Sequence, residues 1–308
     1  RVLGHSPVSA VKTARRSTAK RAAALALTAA LVVGMTLPAF AQDWFIENGD
    51  ITISAGESGN NVTQGSTTKE NDTDTVIKSN GSSTAPSNTV TIHADEGKTV
   101  NVTLDNVNID TSETGEAAVS VTGSGNTNIE LNGNNTLTSG SGHAGLEHNK
   151  ETNSEGKETS GTLTITDNNN DGKLTANGGI DGAGIGGSDE HDGQVTITGG
   201  EITATGGNGA AGIGGGAGDT DAVGGDGDVT ISGGTITATG GRLGAGIGGG
   251  AYGNGTVTVT DGDITAKATG RYGAGIGGGY GAKPKPSGTL IGGNGTVTIS
   301  GGTITEAS

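Results

Sequence analysis

From residue 183 onward the apolar positions of the chain return in a fixed order. Ala183-Gly184-Ile185-Gly186 recurs at Ala211–Gly214, Ala245–Gly248 and Ala274–Gly277, with the isoleucines spaced 28, 34 and 29 residues apart. Each block is followed by a valine-threonine stretch: Val195-Thr196-Ile197, Val229-Thr230-Ile231, Val257-Thr258-Val259 and Val297-Thr298-Ile299. After a short turn, usually Gly-Gly, comes a third piece: Ile202–Ala204, Ile236–Ala238, Ile264–Ala266, and Ile304 with Thr305. Apolar and polar residues alternate with a period of two and no helical period is present, so each unit predicts three short strands. Degenerate copies precede these. Ala144-Gly145-Leu146 is accompanied by Leu163–Ile165 and Leu174–Ala176, and Ala117–Val119 by Ile129–Leu131 and Leu137. Val90–Ile92, Val100–Val102 and Val107–Ile109 are strand-like too.

A three-strand unit of this length that repeats in tandem predicts an all-β, right-handed parallel β-helix of about six to seven coils. Equivalent residues of successive coils should stack at the interstrand spacing of ~4.8 Å. Ala117/Val119, Ala144/Leu146, Ala183/Ile185, Ala211/Ile213, Ala245/Ile247 and Ala274/Ile276 are the expected internal ladder. Gly-Gly and Asn/Asp-Gly steps are the expected corners, where positive φ is needed. Trp44, Phe45 and Ile46 are read as a plug over the first coil. Residues 55–88, rich in Ser, Thr, Asn, Asp and Gly, form either a loop-rich first turn or a segment without a fixed fold. The organisation expected is therefore a leader over 1–41, a cap with an irregular first coil over 42–98, and β-helix repeats over 99–308. The last of these stops in mid-repeat at Ser308.

Composition sharpens the picture. Of 308 residues 63 are glycine, and 45 of these lie in 178–308, where the Val/Ile period excludes a flexible linker. Proline numbers only 5, without a three-residue glycine period, which excludes collagen. With no cysteine, disulfides and thiol chemistry are excluded. Residues 11–21 are basic, 22–37 are apolar, and Pro38 with Ala39-Phe40-Ala41 completes a secretory leader cleaved before Gln42, the alternative being an N-terminal anchor. No membrane span is expected after its removal, and the product is expected to be a monomer outside the cell. The six bases of the first 41 residues leave 11 basic against 32 acidic side chains in the remainder, a net of −21. Such a surface argues against nucleic acid.

Candidate chemistry follows from the same pattern. Gly182-x-Gly184-x-x-Gly187 spells a dinucleotide fingerprint, but no helix follows it, so these glycines are structural. Asp167, Asn169 and Asp171 match the first half of an EF-hand loop and make Ca²⁺ the candidate cofactor, against an ordinary Asn/Asp turn. Asp219, Asp221, Asp226 and Asp228 are a second candidate carboxylate cluster, against solvated loop charge. His143, Glu147 and His148 are weighed as a metal cluster and set aside. The outward threonines, Thr196, Thr230 and Thr258 among them, suit an exposed strand face and also resemble ice-binding arrays. Gly246, Gly248, Gly275 and Gly277 are expected to leave the outer face of the first strand bare. With Tyr252, Tyr272 and Tyr280 at its rim, that floor would receive an extended sugar chain unless loops cover it.

The stretches Val102–Ile109, Ala118–Val121, Ile129–Asn132 and Leu163–Thr166, together with the GAGIGGG blocks, resemble secreted bacterial parallel β-helix proteins of the carbohydrate-binding-domain type, related in fold to pectate lyases. The resemblance spans roughly 88–308. It implies Ca²⁺-assisted binding of acidic plant polysaccharide without cleavage. A lyase would need a basic proton acceptor beside Ca²⁺, and Arg242, Lys267 and Arg271 are scattered. The expectation is a non-catalytic polysaccharide binder. The alternatives are a structural or adhesive surface stalk and, third, a polysaccharide lyase.

Overall fold

The computed structural model describes residues 42–218, 224–270, 272–281 and 292–307. The chain winds into a right-handed parallel β-helix with three walls. Wall 1 stacks Ile51–Ala55, Val90–His93, Val119–Thr122, Leu146–His148, Ile185–Gly186, Ile213–Gly214, Ile247–Gly248 and Ile276–Gly277. Wall 2 stacks Asp43–Phe45, Thr75–Lys78, Thr99–Asp105, Asn126–Asn132, Leu163–Thr166 and Gly193–Ile197, then the first halves of Gly227–Gly240 and Gly255–Ala268, then Gly295–Ile299. Wall 3 runs through Asn108–Asp110, Asn134–Thr138, Lys173–Asn177 and Glu201–Thr205, then the second halves of the same two long strands, and ends at Thr303–Ala307. Among the described residues seven coils carry a strand in each wall, the first beginning at Val90.

The register places the repeated apolar residues in inward ladders. Wall 1 stacks Ile51, Val90, Val119, Leu146, Ile185, Ile213, Ile247 and Ile276. Wall 2 stacks Val102, Ile129, Ile165, Ile197, Ile231, Val259 and Ile299. In wall 3, Ile109 and Leu137 give way to Ala176, Ala204, Ala238 and Ala266. The narrowing matches the shrinking of wall 1 from four residues to two, so the later coils hold a thinner core.

Two glycine columns make that thinness possible. Gly186, Gly214, Gly248 and Gly277 all have φ between 127° and 137°. Against them stand Gly193, Gly227, Gly255 and Gly295, which open wall 2. A Cβ at Gly248 would lie 1.9 Å from the carbonyl oxygen of Gly277, and one at Gly255 2.1 Å from the same oxygen. Backbone therefore packs on backbone at this corner, and only glycine meets both the φ and the space.

The first rungs are closed differently. Trp44 is buried and stacks over Ile77 as a rung of wall 2, beyond its expected role as a plug. Residues expected to be loop or unstructured form a hairpin: Asn60–Gln64 pairs antiparallel with Ile51–Ala55, and Thr67–Asp72 pairs antiparallel with Asn60–Gln64. The Gln64 amide donates to the carbonyls of Phe45 (2.7 Å) and Gly49 (2.8 Å), tying the hairpin to the cap. A polar antiparallel edge with Lys69 and Glu70 ends the parallel stack, as exposed edges require.

Candidate functional site

The outward positions of wall 2 form a polar groove of about 390 Å³ across four successive rungs. Alternation in Thr99–Asp105 points Val102 inward and Asn101 and Thr103 outward. Register then sets Asn128 beside Asn101 and Glu130 beside Thr103. The Asn128 amide donates to Asn101 Oδ1 at 2.8 Å. Glu130 Oε1 accepts the backbone N–H of Asn168 at 2.6 Å, and Oε2 accepts the Asn168 amide at 2.7 Å and the Thr166 hydroxyl. Asp74 and Thr73 form the far end. The side chains are thus held by one another, with amide, hydroxyl and carboxylate groups repeating at the rung spacing of ~4.8 Å along the axis. Such a surface suits a flat, hydroxyl-rich chain lying along the helix axis.

These residues escaped the sequence reading because only register sets Asn128 beside Asn101, and Glu130 beside Thr103 and Thr166, on one face. The available signal was the replacement of threonine by Asn and Glu at outward positions in adjacent coils, where later coils keep Thr196, Thr230 and Thr258.

Of the expected sugar floor, Gly246, Gly248 and Gly275 are buried, because the alternate glycines of wall 1 turn into the corners. A Cβ on Gly246 would sit 2.6 Å from the backbone nitrogen of Lys267. A bare strip along wall 1 therefore does not form. At the last rung Gly277 is buried too, but its backbone borders an open cleft of about 440 Å³ with Tyr272 and Tyr280. The two tyrosine rings stack with centroids 4.5 Å apart at 24°, and Tyr272 is 63% exposed. Tyr252 is half-buried, and its N–H donates to the carbonyl of Tyr280 at 3.2 Å.

The expected Ca²⁺ ligands are placed otherwise. Asp226 Oδ1 accepts the backbone N–H of Asn254 at 2.6 Å, Asp192 Oδ1 accepts that of Asp226 at 2.7 Å, and Asn254 Oδ1 accepts that of Asn294 at 2.9 Å. Each side chain caps the equivalent residue one coil on, so Asp226 belongs to a corner ladder. Asp228 pairs with Lys150 at 2.7 Å. Asp167 Oδ1 accepts the Asp171 N–H at 3.3 Å in a tight turn, and the Asn169 amide reaches Asn132 at 3.5 Å. Asp219 and Asp221, like the leader, lie outside the described residues. Among the described residues no group of three or more His, Asp and Glu is placed to hold a metal ion, and no helix is long and apolar enough to cross a membrane.

Burial perturbs two groups near this ladder. The Asp192 carboxyl is pushed above its ordinary value by burial and by the neighbouring Asp226 charge, with the Asp226 N–H opposing. His148 is held below its ordinary value by burial, against the carbonyls of Gln194 and Gly161.

No curated protein and no solved structure matches the chain. Residues 169–189, 195–217 and 229–251 match the family model described as "Beta helix repeat", and all three stretches lie in the stacked coils of the parallel β-helix.

Proposed function

We infer that this protein binds an extended polysaccharide without cleaving it, outside the cell, in the wall 2 groove. The observation that carries the reading is two hydrogen-bonded sets on one outward face, Asn101 with Asn128 and Glu130 with Thr166 and Asn168. Fixed amides and carboxylates recognise hydroxyl pairs with little ordering cost. The stacked Tyr272 and Tyr280 offer a second, aromatic contact for a sugar ring at the other end of the stack. The acidic surface favours neutral glycans. Ca²⁺ has a place in this reading as a bridge between carboxylates of an acidic glycan and of the protein.

A glycan array run with Ca²⁺ and with chelator tests the reading. Retention of a neutral polysaccharide is expected, weakened roughly tenfold by Asn128→Ala together with Glu130→Ala, as expected for loss of a few hydrogen bonds. Retention of no glycan under either condition would overturn it. Release of new reducing ends or unsaturated uronates from the retained glycan would replace binding with cleavage.

A further inference from the structure

Three departures from the repeat meet at one place on wall 1, on a face other than the groove. In the column of Thr52, Thr91 and Ser120 stands Glu147, and the equivalent position of every later coil is glycine: Gly186, Gly214, Gly248 and Gly277. In the neighbouring inward column Ile53, Ile92 and Val121 are followed by His148. Directly after His148 the chain departs into an excursion that folds back where Thr152 bridges Glu158.

The result is a cavity of about 250 Å³ lined by Glu147, His148, Ser120, Thr159, Ser160 and Glu151. Glu147 is 7% exposed and His148 1%. Glu147 Oε2 accepts from His143 Nδ1 at 2.8 Å and from the Ala144 N–H at 3.3 Å. Burying a carboxylate and an imidazole where the repeat supplies glycine and isoleucine costs stability, and such a cost concentrated at a cavity marks a binding site. Glu147 and Glu151 are acidic, burial pushes His148 below its ordinary value, and no Lys or Arg lines the space. Lys150, next in sequence, is drawn away to Asp228 (2.7 Å) and Glu158 (3.5 Å). The cavity therefore combines negative charge with hydroxyl groups, and its volume is below that of ordinary drug-sized pockets.

We propose that this cavity binds a single ring-sized polyol bearing an ammonium group, an amino sugar, with Glu147 as its counter-ion and Ser120, Thr159 and Ser160 facing its hydroxyls. The site is independent of the wall 2 groove.

Titration calorimetry on the full chain with D-glucosamine, D-glucose and putrescine tests it. Glucosamine is expected to bind roughly tenfold or more tighter than glucose, the gain of a hydrogen bond to a charged group. Putrescine, lacking the hydroxyls, is expected to bind more weakly than glucosamine. Glu147→Gly, which installs the residue of the later coils, and Glu147→Gln are both expected to remove the preference for the amine while still unfolding in one cooperative transition. Ser120→Ala with Thr159→Val weakens glucosamine and leaves putrescine unchanged. Equal binding of glucose and glucosamine, an undiminished preference in Glu147→Gly, or putrescine binding as tightly as glucosamine would each overturn the proposal.

Discussion

Gly248 has no substitute at its position. Its φ of 131° is disfavoured for any L residue, and an added Cβ would lie 1.9 Å from the Gly277 carbonyl, an atom fixed by the next coil. Gly248→Ala is expected to cost roughly 2–4 kcal/mol, from backbone strain and overpacking together. Gly156 has φ 75° but nothing within 4 Å, so Gly156→Ala should cost only about 1 kcal/mol. Denaturant unfolding of the two variants separates the contributions, and equal losses would contradict the corner geometry. Asp192 makes the opposite prediction. Its folded-state pKa is raised above the ordinary 3.8, so the folded protein holds the proton more tightly than the unfolded chain does. That carboxyl therefore subtracts stability as pH rises through its titration, and subtracts nothing well below it. Asp192→Asn keeps an acceptor for the Asp226 N–H, as Asn254 does for Asn294. It should raise the melting temperature at pH 7, by less than ~1 kcal/mol of stability, and the advantage should vanish near pH 3.

At the scale of elements, the ladders and the closing hairpin divide what a sequence can reveal. The inward ladders were readable because Val, Ile and Leu recur with period two inside a longer repeat, and that pattern alone fixes which residues stack. The glycines of wall 1 were seen but their direction was not: a Gly-x-Gly alternation does not tell whether the bare positions face water or a neighbouring backbone. The Asp192–Asp226–Asn254 ladder was hidden because each bond joins different coils, 28 or 34 residues apart. The hairpin of Asn60–Asp72 was hidden because Thr67–Asp72 has no apolar face to alternate with. Trp44 reports on that hairpin directly. Its Nε1–H donates to Asp72 at 3.1 Å, and Lys69 pairs with the same carboxylate at 2.9 Å. Burial pushes the Asp72 pKa up, but the bonds from Lys69 and Trp44 outweigh it and leave it lowered. Its stabilising contribution is then present above the ordinary 3.8 and is lost as pH falls through the lower folded value. Because Trp44 is the only tryptophan, its fluorescence should red-shift on acidification through the lowered Asp72 pKa, below 3.8, and Asp72→Ala should show the shifted spectrum already at pH 7. An unshifted emission in Asp72→Ala would mean that the hairpin is not held through this carboxylate.

Over the whole molecule, the proposed glycan binding makes charge the selector between neutral and acidic chains. The chain after residue 41 carries a net of −21, and Asp74 and Glu130 place part of that charge in the groove itself. A polyuronate approaching it meets like charge at Asp74 and Glu130, whereas a neutral polymer presents only hydroxyls to Asn101, Asn128 and Thr166. Repulsion between exposed charges is screened over ~8 Å at physiological ionic strength and over ~30 Å at 0.01 M. Binding of a neutral glycan should therefore change little between low and moderate salt. Polygalacturonate should be excluded at low salt and gain affinity either as salt rises or as Ca²⁺ is added, and only the Ca²⁺ gain should be reversed by chelator. The two routes differ in a further respect. Screening acts on the whole acidic surface, so Glu130→Gln should matter modestly to it, while a bridge needs particular carboxylates and should weaken sharply in that variant. Affinity electrophoresis across a salt series, with and without Ca²⁺, reads both effects in one experiment. Tighter binding of polygalacturonate than of neutral glycans at low salt without Ca²⁺ would show that the acidic surface does not govern selection.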